Sequence, residues 1–291
     1  MLSGWHKSIP SAERASAGGQ GRIALASRNA DPIFLRDVAR WDLRQQRMLF
    51  QILIPIGLLV KHQIDPVRLT DAGGLPIAFA RPGANQDGYR FELYHTGDAS
   101  EPMGELELAD TQFNQIEVVW VTLQDPLSVR YDVDVLPGGE STLRGTAGRN
   151  LVSEEAAMLA GLAPGQVRRG LGVFGLLVER IELMMLCLNQ REYLAQPLFY
   201  HMAVLFEQHG FSYVQGQSLM DEIHEGFIPG GCLAQKLDGS TPFRRPEQRD
   251  TIRGRSWAIH DGVMADRWDR VRMVKRLGVG AHVCTAPDIN W

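Results

Sequence analysis

The sequence predicts an α+β protein: an antiparallel-rich mixed sheet flanked by helices, with extensions at both ends. Three observations carry this. Between Leu69 and Leu136 apolar and polar residues alternate in short segments. These are bounded by turn residues such as Asp71-Ala-Gly-Gly, Arg81-Pro-Gly and Asp98-Ala-Ser, the period-two pattern of half-buried strands joined by hairpins. From about residue 150 the apolar spacing becomes helical, and Leu205-Phe-Glu-Gln-His-Gly-Phe211 ends a helix at a glycine and turns at once into a strand. With 44% hydrophobic and 22% charged residues in 291, the chain has the composition of a folded protein with a sizeable core. Its net charge of −4 selects no class of partner.

The length suits one large domain or two ordinary ones. Three segments are expected: an N-terminal arm and helical segment over 1–64, an α+β core over 65–217, and a basic loop and helix over 218–291 packed on that core. Residues 1–30 carry Ser, Ala, Gly and Arg without periodicity and read as a loose arm. Asp31-Pro32 has the form of a helix cap followed by proline, with Ile33, Phe34, Val38 and Trp41 at helical spacing, and Pro55 and Gly57 break the apolar run after it. The strands predicted are Leu75–Arg81, Tyr89–His95, Met103–Asp110, Ile116–Gln124 and Ser128–Leu136. The apolar run Val118-Val-Trp-Val121 makes Ile116–Gln124 the central one.

Helices are predicted from Ser153 as cap to about Leu162, from Arg169 or Gly170 to Leu188, and over Leu198–His209; Phe211–Gln217 returns as a strand. Residues 227–276 hold eleven Lys and Arg against six Asp and Glu, and Asp261–Lys275 reads as a closing amphipathic helix. His260 reads as structural, with Asp261 as a helix cap.

Cys187, Cys232 and Cys284 form no CxxC pair and read as reduced thiols. The start of the chain lacks the apolar core of a signal peptide. The longest apolar run, Met48–Val60, is 13 residues and contains Gln51, Pro55 and Gly57, short of the roughly 20 a spanning helix needs. A cytoplasmic protein without membrane partners is the expectation, and a homo-oligomer is compatible with it. No GxSxG elbow, Walker loop, HExxH or Rossmann fingerprint occurs.

The chemistry-bearing stretch is Gln166-Val-Arg-Arg-Gly-Leu-Gly-Val173. Helix N-termini leave N–H groups unpaired, Gly170 and Gly172 let backbone approach an anion, and Arg168 and Arg169 add charged donors. The stretch resembles the pyrophosphate loop of GNAT-type acyl-CoA-dependent N-acyltransferases, whose pattern is Arg or Gln, two residues, Gly, one residue, then Gly or Ala. Arg168 starts that pattern one residue late, Val167 occupies the register, and Arg169-Gly170-Leu171-Gly172 fits the Arg-Gly-x-Gly core. The helix ending in Gly210-Phe211 is similar to a later part of the family, so the resemblance covers roughly 75–217 and makes 65–217 a GNAT-like core. Two departures stand out. Only Tyr193–Tyr200, with Pro197 inside it, is available for the strand between the family's two helices, and Ser128–Leu136 is one strand too many.

The resemblance implies acetyl-CoA or another acyl-CoA as co-substrate and a small-molecule amine as acceptor. Arg168, Arg169, Gly170, Leu171, Gly172 and Val173 would bind the cofactor, and a backbone N–H near Val119–Val121 would polarise the thioester. Glu117 would be the base and Tyr200 the acid for the leaving thiolate. A metal protein using His201, His209, Asp221, His224 and Glu225 is an alternative, Asp221, His224 and Glu225 having the spacing of one helix face, although no metal is predicted in the leading reading. A noncatalytic ligand-binding or assembly protein is another. The arginines from Arg244 to Arg255 could meet nucleic acid, a phosphorylated substrate or the adenosine phosphates of CoA; with only Phe243 and Trp257 flanking them they fall short of a nucleic-acid surface and read as paired with the protein's own acids.

Overall fold

The computed structural model describes residues 31–83, 88–264, 268 and 271–291. The arm expected over 1–30 lies outside them. The helix expected from Pro32 is instead two short helices, α1 (Leu35–Val38) and α2 (Leu43–Gln51). Ile33 is tethered first: its N–H donates to Leu188 O at 2.8 Å and its carbonyl accepts from Gln190 Nε2 at 2.8 Å. The N–H groups of Leu35 and Arg36 are satisfied from afar by the Asp110 carboxylate, at 3.0 and 2.9 Å. The local cap is Asp42, in a reciprocal box with Gln45 that starts α2. Helix α3 (Ile56–Lys61) begins directly after Pro55, so the proline does interrupt the apolar run. Leu49, Phe50, Leu53, Leu58 and Leu59 from that run are buried, and among the described residues no helix is long and apolar enough to cross a membrane.

Four antiparallel strands come next, β1 (Ala78–Pro82), β2 (Gly88–Leu93), β3 (Gly104–Asp110) and β4 (Ile116–Leu123), as the period-two pattern requires. Ser128–Leu136 is not a strand. Its alternation reflects a charge clamp: Arg130 binds Glu101, Asp132 and Asp134. Side chains take carbonyls a ladder would need, Asn150 Nδ2 those of Asp132 and Val135 and Thr142 Oγ1 that of Val133. Helix α4 (Leu151–Leu159) is capped by Asn150, whose side chain accepts from the Ser153 N–H, so Ser153 lies inside the helix it was expected to cap.

Helix α5 (Phe174–Cys187) leads to β5 (Glu192–Ala195), then α6 (Tyr200–Gln208), β6 (Ser212–Gln215) and α7 (Gln217–Phe227). Gly210, at φ +77°, makes the helix-to-strand turn, and a Cβ there would meet Lys275 Nζ at 2.8 Å. Helix α8 (Ile252–His260) and β7 (Arg272–Arg276) complete the fold. The closing helix expected over Asp261–Lys275 is therefore wrong at its end. β7 lies between β5 and β6 with neighbours on both edges, and Val271, Met273 and Val274 are all buried. A strand covered on both faces is apolar in succession, which imitates helical spacing in so short a stretch.

The seven strands form one sheet in the order β1-β2-β3-β4-β5-β7-β6, antiparallel except for the parallel β4–β5 pair, with β4 at its centre. The main core joins Leu35, Val38, Leu49 and Phe50 to Leu106 and Leu108 of β3 and to Leu177, Ile181 and Met184 of α5.

Candidate functional site

The parallel pair is the irregular place in the sheet. β4 and β5 share only two register positions, Glu117 with Leu194 and Val118 with Ala195. Gln196 and Pro197 come next, and proline has no N–H to continue a ladder. Its carbonyl is also taken, by Trp268 Nε1 at 2.9 Å. β4 runs on through Val119–Leu123 while β5 turns away, so a wedge opens between them. Within the wedge β4 carries a bulge: Glu107 faces Trp120 and Leu108 faces Val118, leaving Val119 as the extra residue, 41% exposed.

A cavity of about 730 Å³ fills the wedge, lined by Val118–Leu123 of β4 and Gln124 after it, the turn from Ala160 to Gly172, Phe174 of α5 and one side of α6 from His201 to Gln208. Gln124 and Gly170 form an isolated bridge, and the Asp125 N–H donates to Arg169 O at 2.7 Å, so the glycine loop is stitched to the end of β4. Gly172, at φ +71°, turns the chain into α5, which starts at Phe174 and not at Arg169 or Gly170 as expected. Val173 is the N-cap residue and no side chain caps the helix. The first-turn N–H groups of a helix have no partner within it and carry partial positive charge.

The cavity lining holds four arginines, Arg144, Arg168, Arg169 and Arg253, and no aspartate or glutamate. The four differ in their commitments. Arg168 is spent on the fold, its guanidinium donating to Ser128 O and pairing with Glu101 at 3.4 Å. Arg169 is exposed and makes no side-chain ion pair within 4.0 Å among the described residues. Arg253 lies 5.9 Å over the Trp291 ring. Arg144 stacks 5.0 Å over Trp120 and donates to Gly165 O at 3.3 Å.

Thr122, Gln124, Gln166, Gln196, His201 and Gln208 are neutral polar residues of the lining, and two of them are buried with fixed partners, Gln124 and His201. Gln124 is buried; its Nε2 donates to Pro102 O at 2.8 Å, which fixes the amide orientation and leaves Oε1 without a partner among the described residues. His201 is buried with Nδ1 2.9 Å from Ser256 Oγ. Burial, and then the charges of Arg253 and His260, lower its pKa to about 3, so it is neutral at physiological pH. It is the one titratable side chain of the lining that is not an arginine.

Of the residues singled out in the sequence, Arg168, Arg169, Gly170, Leu171 and Gly172 line this cavity and Val173 adjoins it. Glu117 and Tyr200 do not line it. Glu117 pairs with Arg272 at 3.4 Å, and Tyr200 is buried against Trp268, where burial raises its pKa. The alternative metal set is dispersed: His201 bonds Ser256, His209 packs on Phe174, and His224 lies 3.3 Å from Arg255. No group of three His, Cys, Asp or Glu converges on a metal-sized site among the described residues. Pattern reading passed over Arg144, Gln124 and Trp291, and it read Arg253 as paired with the protein's own acids, whereas Arg253 lines the cavity over Trp291. The one local signal for the cavity itself was Pro197 directly behind a four-residue strand.

A second cavity, of about 440 Å³, lies against α2 and α3, bounded by Phe50, Leu58, Phe91, Leu106 and Leu177, and meets the first at Leu123. The chain matches no known protein-family model, no curated protein and no solved structure.

Proposed function

We propose that the protein is an acyl-CoA-dependent N-acyltransferase of GNAT-like build. The observation that carries this reading is the wedge: a parallel strand pair that separates beside an uncapped helix start, enclosing a cavity with arginines and no carboxylate. Such a lining favours a polyanion. The strand order supports it too, because β5 now supplies the strand between α5 and α6, and the surplus strand at Ser128–Leu136 is absent.

In this reading the pyrophosphate lies at the first turn of α5, against the backbone of Gly170, Leu171, Gly172 and Val173 and the guanidinium of Arg169. Arg168 shapes the loop from behind. The pantetheine arm pairs with the free edge of β4 as an added strand. Five residue steps separate Val119 from Gln124, roughly 16 Å at strand rise, which suits an extended arm, and Gln124 Oε1 accepts one of its amide protons. The thioester carbonyl receives the N–H at the Val119 bulge. The acceptor nitrogen attacks that carbon, the C–S bond breaks, and the proton lost by nitrogen reaches the thiolate through water. His201 is too weak a base to deprotonate an ammonium ion, so the acceptor enters as the free amine and the imidazole orients it.

Thermal unfolding with acetyl-CoA and longer acyl-CoAs tests the reading. At a hundredfold excess over Kd, binding to the folded state adds about 2.7 kcal/mol, a rise of roughly 4–5 °C for a chain of this size. Arg169→Ala should lose most of that rise. No shift with any acyl-CoA rejects the proposal. The lack of a carboxylate in the lining favours one second reading, a noncatalytic acyl-CoA-binding protein; thiol release in the presence of a panel of amines separates the two.

A further inference from the structure

Resting on the acyltransferase reading, we infer that Arg144 is a carboxylate receptor and that the acyl acceptor is an α-amino acid. Arg144 reaches the cavity from the segment between β4 and α5, far in sequence from the glycine loop. It is half-buried, and its polar contact is the Gly165 carbonyl, with the Trp120 ring beneath the guanidinium. No carboxylate lies within 4.0 Å of it among the described residues. The acids whose charge reaches it are bonded elsewhere: Asp134 to Arg130, Glu101 to Arg130 and Arg168, and Glu105 to Trp120 Nε1 and Arg90. Desolvating a guanidinium without a counterion is unfavourable, and burial accordingly lowers its pKa.

The backbone is strained to hold it there. Leu143, Arg144 and Gly145 have φ of +48°, +54° and +87° in succession, a left-handed run that disfavours the two residues carrying a Cβ. The strain does nothing for the core, since Leu143 is 63% exposed. It is fixed from both sides. Thr142 is buried, donates to Val133 O at 2.7 Å and accepts the Gly145 N–H at 3.1 Å, and a Cβ on Gly145 would meet the His260 ring at 2.8 Å. What the strained turn achieves is the location of the guanidinium over Trp120.

That location selects the ligand. The phosphate end of the cavity, at Gly170–Val173, adjoins Gln124 at the far end of the β4 edge, whereas Trp120 neighbours the bulge at Val119 where acyl transfer would occur. An anion at Arg144 therefore sits beside the Trp120 ring and apart from the glycine-loop end of the cavity. An α-amino acid carries a carboxylate beside its amine, and a guanidinium over an indole, with one nitrogen on the Gly165 carbonyl, offers its remaining N–H donors to that carboxylate.

The test is calorimetric titration of the full chain, and of Arg144→Gln and Arg144→Lys, with acetyl-CoA, with the common L-amino acids and with the decarboxylated amine of each. At least one amino acid should bind wild type in preference to its decarboxylated amine by tenfold or more. Arg144→Gln should abolish that preference while leaving acetyl-CoA affinity and melting temperature within about 1 °C of wild type, and Arg144→Lys should restore it in part. Equal binding of acid and amine, or no binding of either, overturns the inference. So does a fall in melting temperature with unchanged selectivity, which would make Arg144 structural, or a loss of acetyl-CoA affinity alone, which would assign it to phosphate. If acetyl-CoA does not bind but Arg144-dependent amino-acid binding persists, the acyltransferase reading fails and the carboxylate receptor stands.

Discussion

Arg149 and Arg144 are five residues apart and live in opposite electrostatic worlds. Arg149 closes a network: it holds Glu154 at 2.5 Å and Asp261 at 2.7 Å, Asp261 is held again by Arg244 at 2.8 Å, and His260 meets Glu154 at 3.3 Å. Arg144 faces the wedge with a carbonyl and an indole for company. The difference teaches that arginine abundance says little about ligands. The C-terminal half is the richer in arginine, yet Arg244, Arg245 and Arg249 each have an acidic partner, as expected, whereas Arg253 and Arg255 of the same cluster lie over Trp291 and Phe227 with no acid within 4.0 Å among the described residues. The candidate site is the place where the acids run out.

The largest expected effect breaks the closed side. Arg149→Ala leaves Glu154, 1% exposed, and Asp261 beside it without their main cation. The Arg149 guanidinium and the neighbouring donors hold both carboxyls below the usual carboxylate range, and without Arg149 the buried Glu154 keeps only His260, and Asp261 only Arg244 and Thr241, as side-chain partners among the described residues. Removing one partner of a buried network costs about 3–5 kcal/mol. Urea unfolding should show a midpoint shift of that size with little change in m. A loss under about 1 kcal/mol would mean that the network is solvated and that the contrast with Arg144 is one of degree.

A smaller effect comes from His201, which the open side keeps neutral. Its folded pKa of about 3 lies below the ordinary value of 6.5, so between these values the unfolded chain binds a proton that the folded chain does not. The stability tied to this neutral imidazole is complete above pH 6.5 and falls as pH is lowered toward 3, by roughly 1.5–2 kcal/mol between pH 6.5 and 5. Glu154 and Asp261 contribute in a lower window, because their pKa values are depressed from the carboxylate range. His201→Asn keeps a polar partner for Ser256 and should flatten the upper window alone. An unchanged slope in urea titrations across that range would show that the ring is protonated in the fold.

How much of this was legible depends on where each feature has its cause. β2 to β4 were readable because each sets residues on the core and has turns close by, so sequence alternation and structure share a cause, whereas β1, with no buried residue, was marked by its bounding turns. β7 was not, because Val271, Met273 and Val274 owe their burial to β5 and β6, roughly 60 or more residues earlier in the chain. The helix start was placed early because Gly170 and Gly172 look alike in sequence, whereas one bridges β4 and the other makes the turn. The glycine loop was legible as a motif and lines the cavity. Arg144 was illegible, since its meaning lies in the absence of an acid, and only the fold decides which acids are near.

The same limit separates the two arginines that the motif treats as a pair. Arg168 points its bonds at Ser128 O, Pro126 O and Glu101, and its side chain is 20% exposed, whereas Arg169 has a backbone tie to Ser128 Oγ and an exposed guanidinium without an ion pair among the described residues. Replacing both at once would confuse a collapsed loop with a lost ligand contact. Singly, Arg168→Ala should lower stability by about 1–2 kcal/mol, the worth of charge-assisted bonds to partly buried acceptors, and weaken acyl-CoA only through the displaced loop. Arg169→Ala should leave the urea midpoint unchanged and weaken acetyl-CoA about tenfold, or about 1.4 kcal/mol, by removing one donor to phosphate, with a salt dependence shallower than that of wild type. The two readouts cross, and that crossing is the test. If Arg169→Ala costs stability while Arg168→Ala costs affinity alone, the anion enters from the Glu101 side of the loop, and the first turn of α5 is not where the phosphates rest.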